Sequence, residues 1–278
     1  MLPAVPPIHY YGQPEFGLPL VTPAEPDFAA LVREILSLPE PFGKQPPDSL
    51  ERAAVLRNQS GRAIVFLSYV WRYTTAQGHK FTSRCVNLGS SIQTDYLTGR
   101  TGLVRDLGHF ILPGSKRLIT EDGIFGNNLD VLPAEAMCRG GGIGGGGRAA
   151  RRDRGEVAEV ELTLDVAVLE DGLCVGPDEF GLYDNLVADL DLQRATARQI
   201  AESLRAGASP GQIFEALRPL ARRGPGAEAS GGPGRAHTVI LHMFANSAIH
   251  RLVNTPEAEL TPWFERIAEA TPLGLHRP

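Results

Sequence analysis

The densest positive charge in this sequence lies in a glycine-rich segment that spans residues 139–155. Arginines in a flexible segment of this kind can pair with the phosphates of a nucleic-acid backbone. The segment has no aromatic residue on which a base could stack, so the sequence favours a solvent-exposed loop and leaves a nucleic-acid contact as an alternative. The arginines that would make the contact are Arg139, Arg148, Arg151, Arg152 and Arg154.

The glycines of the same segment also match a phosphate-binding pattern. Gly140, Gly142 and Gly145 satisfy G-x-G-x-x-G, which cradles a dinucleotide when it follows a strand and opens a helix. Residues 133–137 do not have the composition of a strand, and residues 148–155 are charged and lead into one. The context argues against a nucleotide site, and the sequence predicts no cofactor.

A second group of polar residues, His242, Asn246 and His250, recurs every four positions. On a helix these residues would form one slanted polar row. The two imidazoles lie two turns apart, roughly 12 Å, which is too far for both to bind one metal ion, and neither belongs to an H-E-x-x-H motif. The sequence predicts no metal site, but an enzyme whose site assembles in three dimensions around His242 and His250 remains a second hypothesis.

The cysteines also indicate no metal site or disulfide framework. Cys85, Cys138 and Cys174 are an odd number, lie far apart and include no C-x-x-C spacing. We therefore expect reduced thiols. Serine, histidine and aspartate all occur, but no spacing shows that they converge, so no catalytic residue is predicted.

Composition limits the partners that the whole chain attracts. The 278 residues carry a formal net charge of −5, with 42% hydrophobic and 21% charged residues, as in an ordinary globular protein. This balance gives no overall attraction to nucleic acid or to anionic lipid. No run approaches the roughly 18 apolar residues of a membrane span, and the first residues do not resemble a secretory signal. We expect a soluble, cytoplasmic protein with no membrane partner.

The middle of the chain has the pattern of an antiparallel β-sandwich. Short runs of β-branched and aromatic residues alternate there with turn residues. In the clearest run, residues 157–169, apolar side chains at every second position predict one buried face and one wet face. Trp71 lies between Tyr69 and Tyr73 at period two, which predicts an aromatic row in the core. The predicted strands cover residues 53–56, 63–75, 81–88, 110–112, 117–119, 157–169 and 173–175.

Two pairs of turn residues predict hairpins within this region. Pro113-Gly114 suits a type II turn that would join residues 110–112 to residues 117–119. Asp171-Gly172 suits the two positive-φ positions of a type I′ turn between the last two strands.

A period near 3.6 predicts helices on both sides of the β-rich middle. The first twenty or so residues predict an arm laid over the surface without regular structure, and the prolines between residues 39 and 47 predict a linker. Ser209-Pro210 forms a capping box with Gln212 at one helix start. The predicted helices cover residues 28–36, residues 186–204, a segment from Ser209, residues 239–253 and a segment from Thr261-Pro262.

Three segments of the middle region, Asn58–Ile64, Leu112–Gly114 and Val166–Gly172, resemble those of uncharacterised bacterial proteins that carry an immunoglobulin-like β-sandwich. The resemblance covers residues 51–176. It implies a sandwich of that type and brings no activity, cofactor or functional residue with it.

These patterns together predict an α+β protein in three parts. Residues 1–50 form an arm, a helix and a linker, residues 51–177 form an antiparallel immunoglobulin-like β-sandwich with the Gly/Arg-rich loop at 139–155, and residues 178–278 form an α-helical region. Sandwiches expose edge strands and end loops that serve recognition. The sequence therefore favours a non-catalytic interaction or structural protein whose partner is another protein.

Overall fold

The computed structural model shows a mixed α+β chain whose described residues divide into two compact units. The β unit comprises the described residues up to Asp178 together with His276–Pro278, and the helical unit comprises those between Glu179 and Leu275. The structure describes residues 6–37, 50, 52–88, 111–121, 123–126, 157–222, 239–269 and 274–278.

The β unit contains nine strands among its described residues, arranged in two sheets. The five-stranded sheet has the order β1-β8-β4-β5, with β9 also paired to β8, and the four-stranded sheet has the order β2-β3-β6-β7. The strands are β1 Ile8–Tyr11, β2 Leu20–Val21, β3 Ala53–Arg57, β4 Ile64–Thr75, β5 Lys80–Leu88, β6 Lys116–Thr120, β7 Gly123–Phe125, β8 Val157–Leu169 and β9 Cys174–Val175.

The N-terminal segment supplies an edge strand to each sheet, where the sequence predicted an arm without regular structure. β1 pairs with β8 and β2 pairs with β3. The β1–β8 pair is parallel, so the five-stranded sheet is not wholly antiparallel as expected. Strands of four and two residues are too short to show a period, which is why composition and periodicity did not indicate them.

The inner faces of the two sheets form one hydrophobic core, which includes residues from both sheets. Tyr69, Trp71 and Tyr73 project into it from β4, so the predicted aromatic row is confirmed. Trp71 is fully buried, and its indole N–H donates to the carbonyl of Thr120 at 3.3 Å across the core. That bond satisfies the one polar group of a large apolar side chain.

A second hydrophobic cluster covers the other face of the four-stranded sheet. It is formed with the helix α1, Phe28–Ser37, whose Phe28, Val32 and Ile35 are buried. Along β3 the side chains alternate between the two clusters, with Ala53 and Val55 in this one and Ala54 and Leu56 in the inter-sheet core. The helix predicted from the 3.6 period is therefore confirmed, and it closes one side of the β unit.

The two hairpins of the five-stranded sheet use the same three-residue loop. In the hairpin from β8 to β9, Gly172 N–H donates to Leu169 O and Leu169 N–H donates to Leu173 O, both at 2.9 Å. Gly172 has a φ of 89°, whereas Asp171 is not among the residues with positive φ. The predicted type I′ turn is therefore wrong, because a type I turn followed by one left-handed glycine reverses the chain with a single positive-φ residue. The loop around Gly78 repeats this pattern.

The Pro113-Gly114 turn is present, but the hairpin predicted around it is wrong. Ser115 N–H donates to Leu112 O at 3.0 Å and Gly114 has a φ of 82°. Ile111, however, bridges to Ile64 of β4, while β6 pairs with β3 and β7. The turn thus passes the chain from one sheet to the other, a long-range pairing that local turn chemistry does not specify.

Asn58 stabilises this passage of the chain between the two sheets through hydrogen bonds of its buried side chain. Its fully buried side chain donates from Nδ2 to Ile111 O at 2.8 Å and to Arg62 O at 2.7 Å. Its Oδ1 accepts from the hydroxyl of Ser60 at 2.7 Å. One amide therefore joins the loop between β3 and β4 to the segment that enters β6.

The helical unit is built from four helices among its described residues. They share a core that includes Phe244, Leu260 and Trp263. The capping box at α3 is confirmed, since Ser209 N–H donates to Gln212 Oε1 at 2.8 Å. The helices are α2 Leu182–Arg205, α3 Pro210–Arg222, α4 Val239–Asn254 and α5 Glu257–Glu269.

The start predicted for the last helix is wrong by one turn. α5 begins at Glu257, and Pro262 lies inside it. Leu260, Phe264 and Ile267 are fully buried on one side of this helix. The free energy gained by burying that apolar side exceeds the cost of the one backbone hydrogen bond that proline cannot make. The helix therefore continues through Pro262.

We predict that Asn58→Ala destabilises the protein by about 2–4 kcal/mol, because a fully buried amide loses its hydrogen bonds to several backbone groups at once. Asn254→Ala is the matched control, since its exposed side chain makes a hydrogen bond to His250 O within α4, and it should cost less than about 0.5 kcal/mol. Urea unfolding followed by tryptophan fluorescence measures both. Equal losses in the two variants would contradict the role assigned to Asn58.

Candidate functional site on the outer face of the five-stranded sheet

Strand β8 places a row of polar side chains on the outer face of the five-stranded sheet. Its apolar residues Val160, Leu162 and Leu164 line the inter-sheet core, so the residues between them face the other way. The sequence predicted that this whole face is exposed to solvent. Only the first part of the row is exposed, because Thr163 and Asp165 are buried. The row consists of Glu159, Glu161, Thr163 and Asp165.

Arg72 of β4 lies opposite Glu161 and closes a small hydrogen-bonded group. Its Nη1 donates to Glu161 Oε1 and, at 3.0 Å, to the hydroxyl of Thr163. The Thr163 hydroxyl also lies 3.0 Å from Glu161 Oε1. Charges that are partly buried and paired in this way stabilise the sheet surface, and none of the three side chains is an activated nucleophile.

Strand β1 extends the polar face to the edge of the sheet. His9 Nε2 lies 3.2 Å from Glu159 Oε1, and both side chains are half exposed. Tyr11 is 51% exposed, which is unusual for a large aromatic residue in a strand. An aromatic ring, an imidazole and a carboxylate therefore lie together at this edge, within reach of a partner.

The outer backbone edge of β1 is open in the part of the chain that the structure describes, where β1 pairs only with β8. Val160 N–H donates to Pro7 O at 3.0 Å. In a parallel ladder alternate residues point toward the neighbouring strand, so Pro7, His9 and Tyr11 face β8. The backbone groups of Ile8 and Tyr10 therefore point outward and can receive another strand.

The other end of the polar row is buried at a β-bulge. Ser68 pairs with Val166 and Tyr69 with Leu164, which leaves Asp165 as the extra residue of β8. Asp165 and Ser68 are both fully buried, and the Ser68 hydroxyl donates to Asp165 Oδ2 at 3.5 Å. This contact between a hydroxyl and a carboxylate is closed to solvent.

Gly176 permits the close approach of the chain to this bulge. A Cβ at position 176 would lie 2.3 Å from Asp165 O, and the φ of Gly176 is 116°. The same carbonyl accepts a hydrogen bond from Asp178 N–H at 3.0 Å. The bulge therefore fixes the course of the chain as it leaves β9.

Two buried groups near the sheet edge hold their protons more tightly than usual. Burial raises the pKa of the Cys174 thiol to about 12, with Asp178 acting in the same direction and Arg277 against it. Burial also raises the pKa of Tyr10 to about 12, and its hydroxyl has no hydrogen-bond partner among the described residues. Cys174 is therefore a protonated, weakly reactive thiol at neutral pH; the expectation of a free thiol is confirmed for this cysteine.

The hairpin loop beyond β8 is held by a surface ion pair. Arg62 Nη1 donates to Asp171 Oδ2 at 2.5 Å. Burial acts to raise the pKa of Asp171, but the hydrogen bonds from Arg62 and from Leu173 N–H hold it below its ordinary value. This pair links the loop before β4 to the loop after β8.

The arginines predicted to contact nucleic acid lie outside the described residues, so that contact stays a prediction. The same is true of the side chain of His242, although the helix that carries it is present as α4. His250 and Asn246 are exposed on α4. The described residues include no group of three or more side chains suited to hold a metal ion. The arginines are Arg139, Arg148, Arg151, Arg152 and Arg154.

A further motif, Gly207–Gly211, matches the G-x-S-x-G spacing of a nucleophile elbow. An elbow requires a strand before the serine, whereas here the helix α2 ends just before the motif. Gln212 N–H lies 3.4 Å from the Ser209 hydroxyl, at the start of α3. Ser209 is therefore a helix cap.

Comparison of the chain with protein-family models, with curated proteins and with solved structures gives no match. None of the helices in the described ranges combines the length and the apolar character needed to cross a bilayer.

We predict that Gly176→Ala destabilises the protein by about 3 kcal/mol or more, because the new Cβ would overlap the Asp165 carbonyl and the backbone would be strained. Gly61→Ala is the matched control, since Gly61 also has a positive φ of 73° but a Cβ added there would meet no atom within 4 Å. Left-handed backbone alone should cost about 1–2 kcal/mol. Chemical denaturation of both variants checks this, and an equal loss would show that the contact at Asp165 is unimportant.

We predict that stability falls as the pH rises above about 9. An unfolded thiol ionises near 9.0, whereas the pKa of Cys174 is about 12 in the folded protein. Between these values the folded state keeps a proton that the unfolded state has lost, so the free energy of unfolding decreases with pH; below this window both states are protonated and the effect vanishes. Urea unfolding at several pH values measures the slope, which should be shallower for Cys174→Ala. An unchanged slope in that variant contradicts the prediction.

Proposed function

We propose that this protein is a non-catalytic interaction protein that binds an extended segment of a protein partner along β1. The observation that carries the proposal is the open backbone edge at Ile8 and Tyr10, beside exposed side chains of the polar face. A strand added to such an edge gains main-chain hydrogen bonds, and side chains at alternate positions supply specificity.

The charges around β1 support recognition rather than chemistry. Arg72 and Glu161 neutralise each other, and the exposed pair His9–Glu159 offers an imidazole and a carboxylate to an incoming segment. A partner strand can exchange hydrogen bonds with these groups without leaving a buried charge unpaired. Neither the histidine row of α4 nor the arginine-rich segment is favoured over β1 by an observation on the described residues.

We also infer that the β unit is an immunoglobulin-like β-sandwich. Its support is that two sheets share one core, and that a tryptophan of β4 is buried against the opposite sheet. The position of β7, which follows β6 in the chain and lies at the edge of its sheet, departs from the usual order. A crystal structure tests the class, and a different pairing of β3 with β6 or of β4 with β8 would contradict it.

We predict that Ile8→Pro weakens binding of partner peptides about tenfold or more, because proline removes the outward N–H but leaves the residues that face β8 unchanged. The probe is a library of random peptides displayed on phage and selected on the immobilised full chain. Selected peptides are then measured against Ile8→Pro and against Val253→Ser, which changes a residue 69% exposed on α4.

Peptides that bind wild type and Val253→Ser equally, but bind Ile8→Pro weakly, support strand addition at β1. Circular dichroism and thermal unfolding of Ile8→Pro show whether the β unit remains folded. Peptides that bind all three proteins with equal affinity, or a selection that yields no binder, would overturn the proposal.

A further inference from the structure

The segment His276–Pro278 belongs to the β unit although it follows the whole helical unit in the chain. The chain leaves the β unit after Asp178 and returns at His276. Within the helical unit, the Tyr183 hydroxyl donates to Leu275 O at 2.9 Å just before that return. The returning segment is therefore held in place by contacts with residues nearly one hundred positions earlier.

His276 pairs with the β8–β9 hairpin as a one-residue parallel strand. Its N–H donates to Gly172 O at 3.0 Å, and its carbonyl accepts from Cys174 N–H at 2.8 Å. These bonds form the isolated bridge between Leu173 and His276. They use only backbone groups, so the pairing itself imposes no side chain at position 276.

Arg277 supplies the side-chain recognition at the same place. Its Nη2 donates to Asp178 Oδ2; the Arg277 side chain is 50% exposed, whereas that of Asp178 is only 4% exposed. Asp178 is also the only non-glycine residue with positive φ, at 50°, in the described ranges. A carboxylate that is buried and fixed by its backbone in this way is a preformed receptor for a guanidinium.

We propose that Gly172–Cys174 and Asp178 form a second peptide-binding site, one that accepts an extended segment in which an arginine follows the residue paired with Leu173. The chain's own residues 276–278 occupy it. A protein partner that carries an extended arginine-bearing segment binds here by displacing them. The site is separate from the β1 edge and does not depend on binding there.

Displacement must release contacts that include the two backbone hydrogen bonds of His276 and an ion pair whose arginine is half exposed. Short segments of a folded chain open locally without global unfolding. Cys174 reports on such opening, since its N–H is bonded to His276 and its buried thiol lies close enough to Asp178 and Arg277 for both to affect its pKa.

The test measures the rate at which a disulfide reagent modifies Cys174 in the full chain with Cys85→Ser and Cys138→Ser. Arg277→Ala should raise that rate about tenfold, since loss of one charged hydrogen bond changes an opening equilibrium by at least that factor. Arg218→Ala, which removes an exposed ion pair with Glu215 on α3, should leave it unchanged. Arg277→Lys keeps the charge and should give a smaller increase.

The second arm adds the synthetic peptide Leu-Gly-Leu-His-Arg-Pro to the Arg277→Ala protein. Saturable slowing of the thiol reaction, absent with a peptide that has alanine in place of arginine, supports the site. An unchanged rate in Arg277→Ala overturns the proposal. A raised rate that no peptide lowers also overturns it, because residues 276–278 would then be a structural strap only.

Two controls keep the outcome decisive. If Arg277→Ala loses its far-UV circular dichroism signal, the peptide experiment is carried out on Arg277→Lys instead. Failure of the peptide to slow modification of Cys174 in that variant overturns the proposal. Ile8→Pro should keep wild-type protection of Cys174. A failure of binding at β1 therefore remains distinguishable from a failure at this second site.

Discussion

The antiparallel pairing of β4 with β8 is the constraint on which the β unit depends. The two strands run side by side over almost their whole length, and every other strand of the five-stranded sheet attaches to one of them. β4 is buried on both faces along most of its length. A shift by one residue would turn the aromatic row of β4 away from the inter-sheet core, which fixes the register. Tyr69, Trp71 and Tyr73 then close the core from this pair.

The bulge in this pairing bears on the second proposed binding site. Its extra residue, Asp165, lies at the buried end of the polar row of β8. Its carbonyl accepts from Asp178, which positions the carboxylate that holds Arg277. Gly176 is required because only a residue without a side chain fits against that carbonyl. A local irregularity of β8 therefore shapes the place where the chain passes between units.

The fold uses addition of short strands repeatedly along one edge of β8. β1 adds there in parallel, β9 adds in antiparallel, and His276 then adds to the hairpin that carries β9. Each added segment is short and combines backbone hydrogen bonds to its neighbour with apolar packing or an ion pair, as Ile8, Val175 and Arg277 show. The charged side chains nearby are paired, and the thiol of Cys174 stays protonated. These strand additions are the ground on which we propose that the protein binds extended peptide segments.

The sequence by itself determined β8, the aromatic row around Trp71 and the amphipathic helices, because apolar residues recur in each with a regular period. Features without a period were decided by tertiary structure. β1 and the His276 bridge are too short to show a pattern, and both form by pairing with residues far away in the chain. Ile111 likewise pairs with Ile64 instead of with its neighbour along the chain. The faces of β8 show the same division: alternation predicted which side chains line the inter-sheet core as far as Leu164, but beyond the bulge Ala167 and Leu169 line it in place of Val166 and Val168. Local patterns encode which side of an element is apolar, whereas pairing across long separations depends on the free energy of the assembled sheet.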